Sequence, residues 1–222
     1  IKRYQLTAFD DDWGGLQRGI EKESLRVKSN GNISHSPHPN RLGSALTNPY
    51  ITTDFSEALL ELITPVSQTI DGCLEELENI HRYTQQNIEN DEILWASSMP
   101  CPLSADTEIP IAQYGKSNIG KLKTLYRHGL HHRYGSLMQA IAGIHYNFSM
   151  PDSFWESYKP LCKFKGSIQE FKTEKYLHLI RNFHRFSWLL LYLFGASPTA
   201  CKCFVEGRTH DLSELDGSTL FK

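Results

Sequence analysis

The 222-residue sequence is short of the features that sort a chain quickly, and each shortage excludes something. Its five cysteines, Cys73, Cys101, Cys162, Cys201 and Cys203, are odd in number and lack zinc-ligand spacing. That argues against a disulfide framework and for a reducing cytoplasm. Neither charge dominates: 23 Lys and Arg face 25 Asp and Glu, a net charge of -2, which predicts no general attraction to nucleic acid or to an anionic membrane. There is no long hydrophobic run. The most apolar stretch, Trp188 to Phe194, is far too short to span a bilayer, and His178, Arg181, His184 and Arg185 precede it in the same helical pattern. Without repeats, low-complexity tracts or a long Pro/Gly/Ser linker, residues 1–222 read as a single domain. The sequence opens on Ile1 without a leader pattern and closes on Leu220-Phe221-Lys222, so it is expected to be a portion of something longer.

Nucleotide signatures are missing as well. Gly115-Lys116-Ser117 has the ending of a phosphate-binding loop, but the glycine needed five residues earlier is Pro110, and no apolar strand leads into it. No dinucleotide fingerprint occurs. His128 and His132 are four apart on an expected helix, yet no third zinc ligand or catalytic glutamate follows them.

What is present is a mixture of strand and helix patterns. Leu16 to Val27 alternates with period two, placing Glu21, Glu23, Leu25 and Val27 on one face and Ile20, Lys22, Ser24 and Arg26 on the other. Asn30-Gly31 then signals a turn. Ser56 to Thr64 reads either as a strand stopped by Pro65 or as a turn or two of helix. Gln68 to Asn90 repeats Ile70, Leu74, Leu77 and Ile80 at helical spacing, and Gly120 to Tyr134 and Glu174 to Leu193 are further helices. Gln139 to Met150 is the clearest strand, with His145, Asn147 and Ser149 on its polar side. Strands and helices interleave without a βαβ rhythm. The expected class is α+β, an antiparallel sheet with helices packed on one face.

Three places carry chemistry. Glu21 and Glu23 lie at i and i+2 on a strand, roughly 7 Å apart on one side, where like charges repel unless water or a cation screens them. Asp54, Glu57 and Glu61 form a stripe if their segment is helical; if it is a strand, only Glu57 and Glu61 align. Glu61 sits among Leu59, Leu60, Leu62 and Ile63, an expensive setting for an unpaired carboxylate. With His145 beside Asn147, the donor set of carboxylates and one imidazole suits magnesium or manganese holding phosphates. Tyr126-Arg127 suits the carboxylate of an amino-acid substrate as well as it suits a basic helix surface. These residues alone equally allow a magnesium-dependent phosphoesterase or a metal-stabilised binding domain.

Several blocks extend the reading. Gly19-Ile20-Glu21-Lys22-Glu23-Ser24-Leu25-Arg26-Val27, Leu42-Gly43-Ser44-Ala45-Leu46-Thr47 and Ile51-Thr52-Thr53-Asp54-Phe55-Ser56-Glu57-Ala58-Leu59-Leu60-Glu61 resemble the proteobacterial glutamate–cysteine ligases. So do Ser98-Met99-Pro100-Cys101, Ala112-Gln113-Tyr114-Gly115, Lys123-Thr124-Leu125-Tyr126-Arg127, Gly143-Ile144-His145-Tyr146-Asn147-Phe148 and Phe194-Gly195-Ala196-Ser197-Pro198. The resemblance implies the N-terminal portion of a longer catalytic domain whose antiparallel sheet, related to glutamine synthetase, curves into a half-funnel. It implies two or three magnesium ions, with manganese as a substitute, on Glu21, Glu23, Asp54, Glu61 and His145; Glu57 is not in that set. It further implies Phe55, Tyr126 and Arg127 as substrate-binding residues, Glu21, Glu23 and Arg127 as catalytic ones, and glutamate, cysteine and ATP as partners. The product would be γ-glutamylcysteine, made through a γ-glutamyl phosphate in the first step of glutathione biosynthesis. Part of the ATP and metal contacts would come from the absent C-terminal half, so these residues alone are expected to be weakly active or inactive.

Overall fold

A computed structural model describes residues 15–103, 107–195, 199–205 and 209–221. The chain divides into two compact units. The larger contains 18–148 and 201–210, and holds every candidate site residue; the smaller contains the N-terminal flank, 149–200 and 211–222.

The larger unit is built on a long strand, β1 (Gln17–Lys28), which ends in the turn expected at Asn30-Gly31. Gly31 adopts φ +87°, the left-handed conformation that glycine enters without steric cost, and its amide donates to the Lys28 carbonyl. The strands β2 (Ile51–Thr53) and β3 (Leu59–Ile63) follow, so the Ser56–Thr64 segment resolves as strand rather than helix. Then come α1 (Ile70–Asn87), β4 (Glu92–Leu94), α2 (Asn118–Tyr134) and β5 (Ile144–Ser149). The sheet order is β2-β3-β1-β4, with β5 also pairing β1; the β1–β3, β1–β4 and β2–β3 pairs are antiparallel.

Register decides which side each residue faces. Lys22 pairs with Leu62 and Ser24 with Leu60 on one side, while Glu21 pairs with Ile63, Glu23 with Glu61 and Leu25 with Leu59 on the other. The first side is closed by α1, whose Leu77 and Ile80 pack against Leu42, Ile51, Leu60, Leu62 and Ile88. The second side has a core of Leu25, Val27, Phe55, Ala58 and Leu59 at one end, joined by Leu130 of α2, and carboxylates at the other.

Arg26 lies on the α1 side of β1, with Ile20, Lys22 and Ser24. It is fully buried, in an ion pair with the equally buried Glu92 (Nη1 to Oε2, 2.9 Å). Its Nη2 donates to the carbonyls of Ser36, Pro37 and Glu57, and the Ser34 hydroxyl donates to Glu92. Glu57 continues the network, its carboxylate accepting the amides of His38 (2.5 Å) and Gln113 (2.6 Å).

The expected strand Gln139 to Met150 forms only from Ile144 to Ser149; Leu137–Ala140 is a short 3-10 helix. The reason lies in competing partners. The Ala142 amide donates to the Ser98 carbonyl and the Ser98 hydroxyl donates to the Ala142 carbonyl, while β1 first engages this segment where the Glu23 amide donates to Gly143. The apolar side of β5 is left open, with Ile144 68%, Tyr146 57% and Phe148 40% exposed.

Helix α2 begins with Ser117 capping the Gly120 amide. Gly120 is fitted against the preceding loop, since a Cβ there would stand 2.3 Å from the Tyr114 carbonyl oxygen. Intrinsic propensity favours alanine over glycine in a helix by about 1 kcal/mol. Here the sign should reverse: Gly120→Ala is expected to lower stability by about 1–3 kcal/mol in urea unfolding, and a stabilised variant would contradict the packing.

In the smaller unit, α3 (Asp152–Leu161) and α4 (Ile168–Phe194) enclose Phe154, Trp155 and Phe171. Ser167 and Glu170 form a capping box at the start of α4. Short strands β6 (Thr199–Cys201), β7 (Ser213–Glu214) and β8 (Thr219–Phe221) make a small sheet in the order β6-β8-β7. No helix among the described residues is long and apolar enough to cross a membrane. Cys73, Cys101, Cys162 and Cys201 are free thiols.

Candidate metal centre

Glu21 and Glu23 precede the buried Leu25 and Val27 along one side of β1, so the pleat holds their carboxylates at the open end of a side whose other end is core. Glu61 stands directly opposite Glu23 in the antiparallel register. Such pairs bring Cβ atoms to roughly 5 Å, where like charges are destabilising. His145 enters from β5, its Nδ1 3.3 Å from a Glu21 carboxylate oxygen, and the Asn147 side-chain amide donates to the other Glu21 oxygen at 2.9 Å. The Gly143 amide donates to Glu23 at 2.7 Å. A side chain at Gly143 would crowd this point, its Cβ lying 3.2 Å from His145 Nε2 and 3.5 Å from Glu23 Oε2.

Ligand atoms of Glu21, Glu61 and His145 all lie within 4.8 Å of one another. Glu23 and Asp54 share the same electrostatic neighbourhood, both raising the affinity of Glu61 for a proton. Burial, followed by the charges of Asp54, Glu21 and Glu23, pushes the Glu61 carboxyl up to about 7. Glu23 is also raised, chiefly by burial, against the lowering effect of the Gly143 amide. Two carboxylates meeting one imidazole, with Glu23 and Asp54 near enough to act on them electrostatically, leave negative charge that no lysine or arginine ion pair among the described residues neutralises at this point. An oxygen-rich set with one imidazole fits a hard divalent cation, magnesium or manganese, rather than zinc.

The charge imbalance predicts a pH effect on the metal-free chain. A carboxyl whose folded pKa is raised binds protons more readily folded than unfolded, so its contribution to stability is present in full below the ordinary carboxylate range, near 4.5, and is lost as pH rises through about 7. Without divalent cation, stability should therefore fall between these limits. Glu61→Gln should flatten that part of the profile, and saturating magnesium should remove the loss. Denaturant midpoints measured across the range, with chelator and with magnesium, check this; an unchanged slope in the Gln variant would count against it.

Asp54 sits in the turn between β2 and β3. Its carbonyl accepts the Arg127 Nε of α2, and Arg127 Nη1 also donates to the Lys123 carbonyl at 3.0 Å. The guanidinium lies 4.5 Å from the ring centre of Tyr114, whose hydroxyl donates to the Thr53 carbonyl at 2.6 Å. The aromatic partner of Arg127 is thus Tyr114, which composition and spacing did not single out, whereas the adjacent Tyr126 is 63% exposed. Phe55 is 1% exposed and packs within the core. Glu57, part of the sequence-level acidic stripe, turns its carboxylate toward the His38 and Gln113 amides. Asn147 and Gly143 also contribute to the site beside His145, through Glu21 and Glu23 respectively. Their signal was available in the i, i+2 alternation that puts Asn147 on the His145 side.

The glutamate-cysteine ligase family model matches residues 5–222. The chain belongs to the glutamate-cysteine ligase family. It is 54% identical over 208 residues to the glutamate–cysteine ligase of Alcanivorax borkumensis, covering 94% of this chain and 39% of that protein. It is 55% identical over 205 residues to the one from Hahella chejuensis, covering 92% and 39%. Among solved structures it resembles a Francisella tularensis glutamate–cysteine ligase in complex with AMP, with a TM-score of 0.83 at 42% identity over 93% of this chain and 40% of that one. A bifunctional glutathione synthetase from Pasteurella multocida gives a TM-score of 0.78 at 34% identity, covering 86% and 25%. The chain therefore spans about 39% of the length of the curated ligases it matches, and the antiparallel sheet with its helices is the N-terminal portion of the ligase family's fold. Within the block Phe194 to Pro198, residues 196–198 lie outside the described residues.

Proposed function

We propose that this chain carries the N-terminal portion of the active site of an ATP- and magnesium-dependent ligase. The enzyme would join the side-chain carboxylate of glutamate to the amine of cysteine, the first step of glutathione biosynthesis. The observation that carries the reading is the convergence of Glu21, Glu61 and His145, with Glu23 and Asp54 beside them, in a member of this family. The nucleotide in the Francisella tularensis relative supports an adenine nucleotide as co-substrate.

In the proposed reaction a glutamate side-chain oxygen takes the terminal phosphoryl group of ATP, releasing ADP. The cysteine amine then attacks the γ-glutamyl phosphate, phosphate leaves, the nitrogen loses a proton, and γ-glutamylcysteine is formed. Glu21, Glu23, Asp54, Glu61 and His145 would hold two or three magnesium ions, or manganese in their place. When bound, these supply the positive charge that lowers repulsion among phosphates and carboxylates during transfer. The chain's own groups position. The Gly143 amide orients Glu23, Asn147 orients Glu21, and both carboxylates are held on a rigid strand before any ligand arrives. Arg127, fixed beside Asp54 and stacked on Tyr114, offers a guanidinium for the carboxylate of an amino-acid substrate. Tyr126 would reach such a substrate from the same helix, and Phe55 would set the position of the Asp54 turn. The free thiols of Cys73, Cys101, Cys162 and Cys201 suit a cytoplasmic setting.

Assay of ADP release by a polypeptide of the relatives' length tests the reading. Turnover should require glutamate, cysteine and magnesium together, and mass spectrometry should find γ-glutamylcysteine. Phosphate release without an amine acceptor would instead identify a phosphoesterase, and magnesium-dependent stability with no nucleotide consumption would identify a binding domain. The 222 residues alone are expected to turn over poorly; full activity from them would overturn the assignment of essential contacts to the remaining length.

A further inference from the structure

Helix α4 changes character along its length. Its first turns are anchored: Phe171 is fully buried against Trp155, Tyr158 and Phe164. Beyond Tyr176 every large apolar side chain is exposed, including Phe183 at 56%, Trp188 at 62%, Leu191 at 70% and Phe194 at 80%. From Leu177 to Phe183 the apolar residues share the helix with His178, Arg181 and Asn182, which fall on one side, so that side is suited to water. From Trp188 to Phe194 all seven residues are apolar or aromatic. At 100° per residue seven positions go round the whole helix, and a helix apolar on every side is a buried one.

Lipid does not suit this surface. Seven residues rise only about 10 Å, against a hydrocarbon thickness of about 30 Å, and three basic or imidazole groups lie within the two turns before it. What remains is protein. The curated relatives run about two and a half times the length of this chain, which spans 39% of them. We propose that the last two thirds of α4, from Leu177 to Phe194, is the seat on which the C-terminal remainder of the ligase polypeptide folds. That remainder lies along one side up to Phe183 and encloses the helix from Trp188 onward. This rests on family membership and chain length, not on the reaction.

The test uses the polypeptide of the relatives' length and reads structure, not turnover. Hydrogen exchange should show amides from Trp188 to Phe194 protected on the order of 100-fold or more over an exposed, fraying helix end. Iodide should fail to quench the part of the fluorescence lost in Trp188→Phe. Leu191→Asp should lower the melting temperature by several degrees, roughly the effect of placing an unpaired charge in a core, whereas Arg181→Asp, on the polar side, should not. If Leu191→Asp does not fold, exchange and quenching in the unsubstituted protein still decide. Rapid exchange and full quenching would overturn the proposal. So would protection that disappears on dilution from dimer to monomer, which would make a second copy the occupant, or protection acquired only with lipid vesicles.

Discussion

Replacing Arg26 with methionine is expected to cost about 3–5 kcal/mol of folding stability, enough to unfold much of a protein whose total stability is about 5–15 kcal/mol. The guanidinium and the Glu92 carboxylate are both fully buried, so losing the cation leaves an anion in a low-dielectric interior with only the Ser34 hydroxyl and the sheet around it. The carbonyls of Ser36, Pro37 and Glu57 lose their donor in the same step. Urea unfolding measures the loss. The double variant Arg26→Met with Glu92→Met should recover a large part of it, because two apolar side chains leave no charge unpaired. A single-variant loss below about 1 kcal/mol would mean that water reaches the pair and that it is not a buried one. The network also ties the 33–38 segment and the turn after β2 to β1, so partial unfolding near Asp54 should accompany the substitution.

The second large effect concerns the proposed divalent cation. Glu61→Gln is expected to weaken binding of manganese, used as a probe for magnesium, on the order of 100-fold. The loss should be read by paramagnetic titration of the full-length polypeptide at pH 8, where Glu61 would be ionised. Glu57→Gln is the discriminating control. It lies four residues away in the same acidic run, yet its carboxylate holds the His38 and Gln113 amides on the other side of the turn. It should lose stability while keeping manganese affinity within about 3-fold, less than the loss expected even of an outer-shell partner. If both variants lost affinity equally, the cation would be held by general negative charge rather than by the strand-defined set. Gly143→Ala gives an intermediate case, since its Cβ would press on the Glu23 and His145 side chains without removing a ligand.

Much of the centre could be read from pattern because strand alternation is a local property. Glu21 and Glu23 project together wherever β1 goes, and Leu25 and Val27 on the same side announce that this side becomes interior. The same rule aligned His145 with Asn147. It failed where a distant segment competes for the backbone: Ala142 is claimed by Ser98, so β5 starts two residues later. It also said nothing about Tyr114, which lies in a loop and acquires its role only because α2 lays Arg127 across it.

The amino-acid order alone determined an α+β chain, the positions of its main helices and strands, and the family whose blocks it carries, since these depend on contacts within about ten residues and on short motifs. Tertiary structure decided the rest. The register between β1 and β3 sets Glu23 against Glu61, and the pairing of β4 with β1 brings Glu92 to Arg26 as a buried ion pair. Glu57 became a backbone clamp because the turn before β3 points it away from its acidic neighbours. Each outcome depends on segments dozens of residues apart meeting at distances of a few ångströms, where dielectric and hydrogen-bond partners are fixed by what else is there.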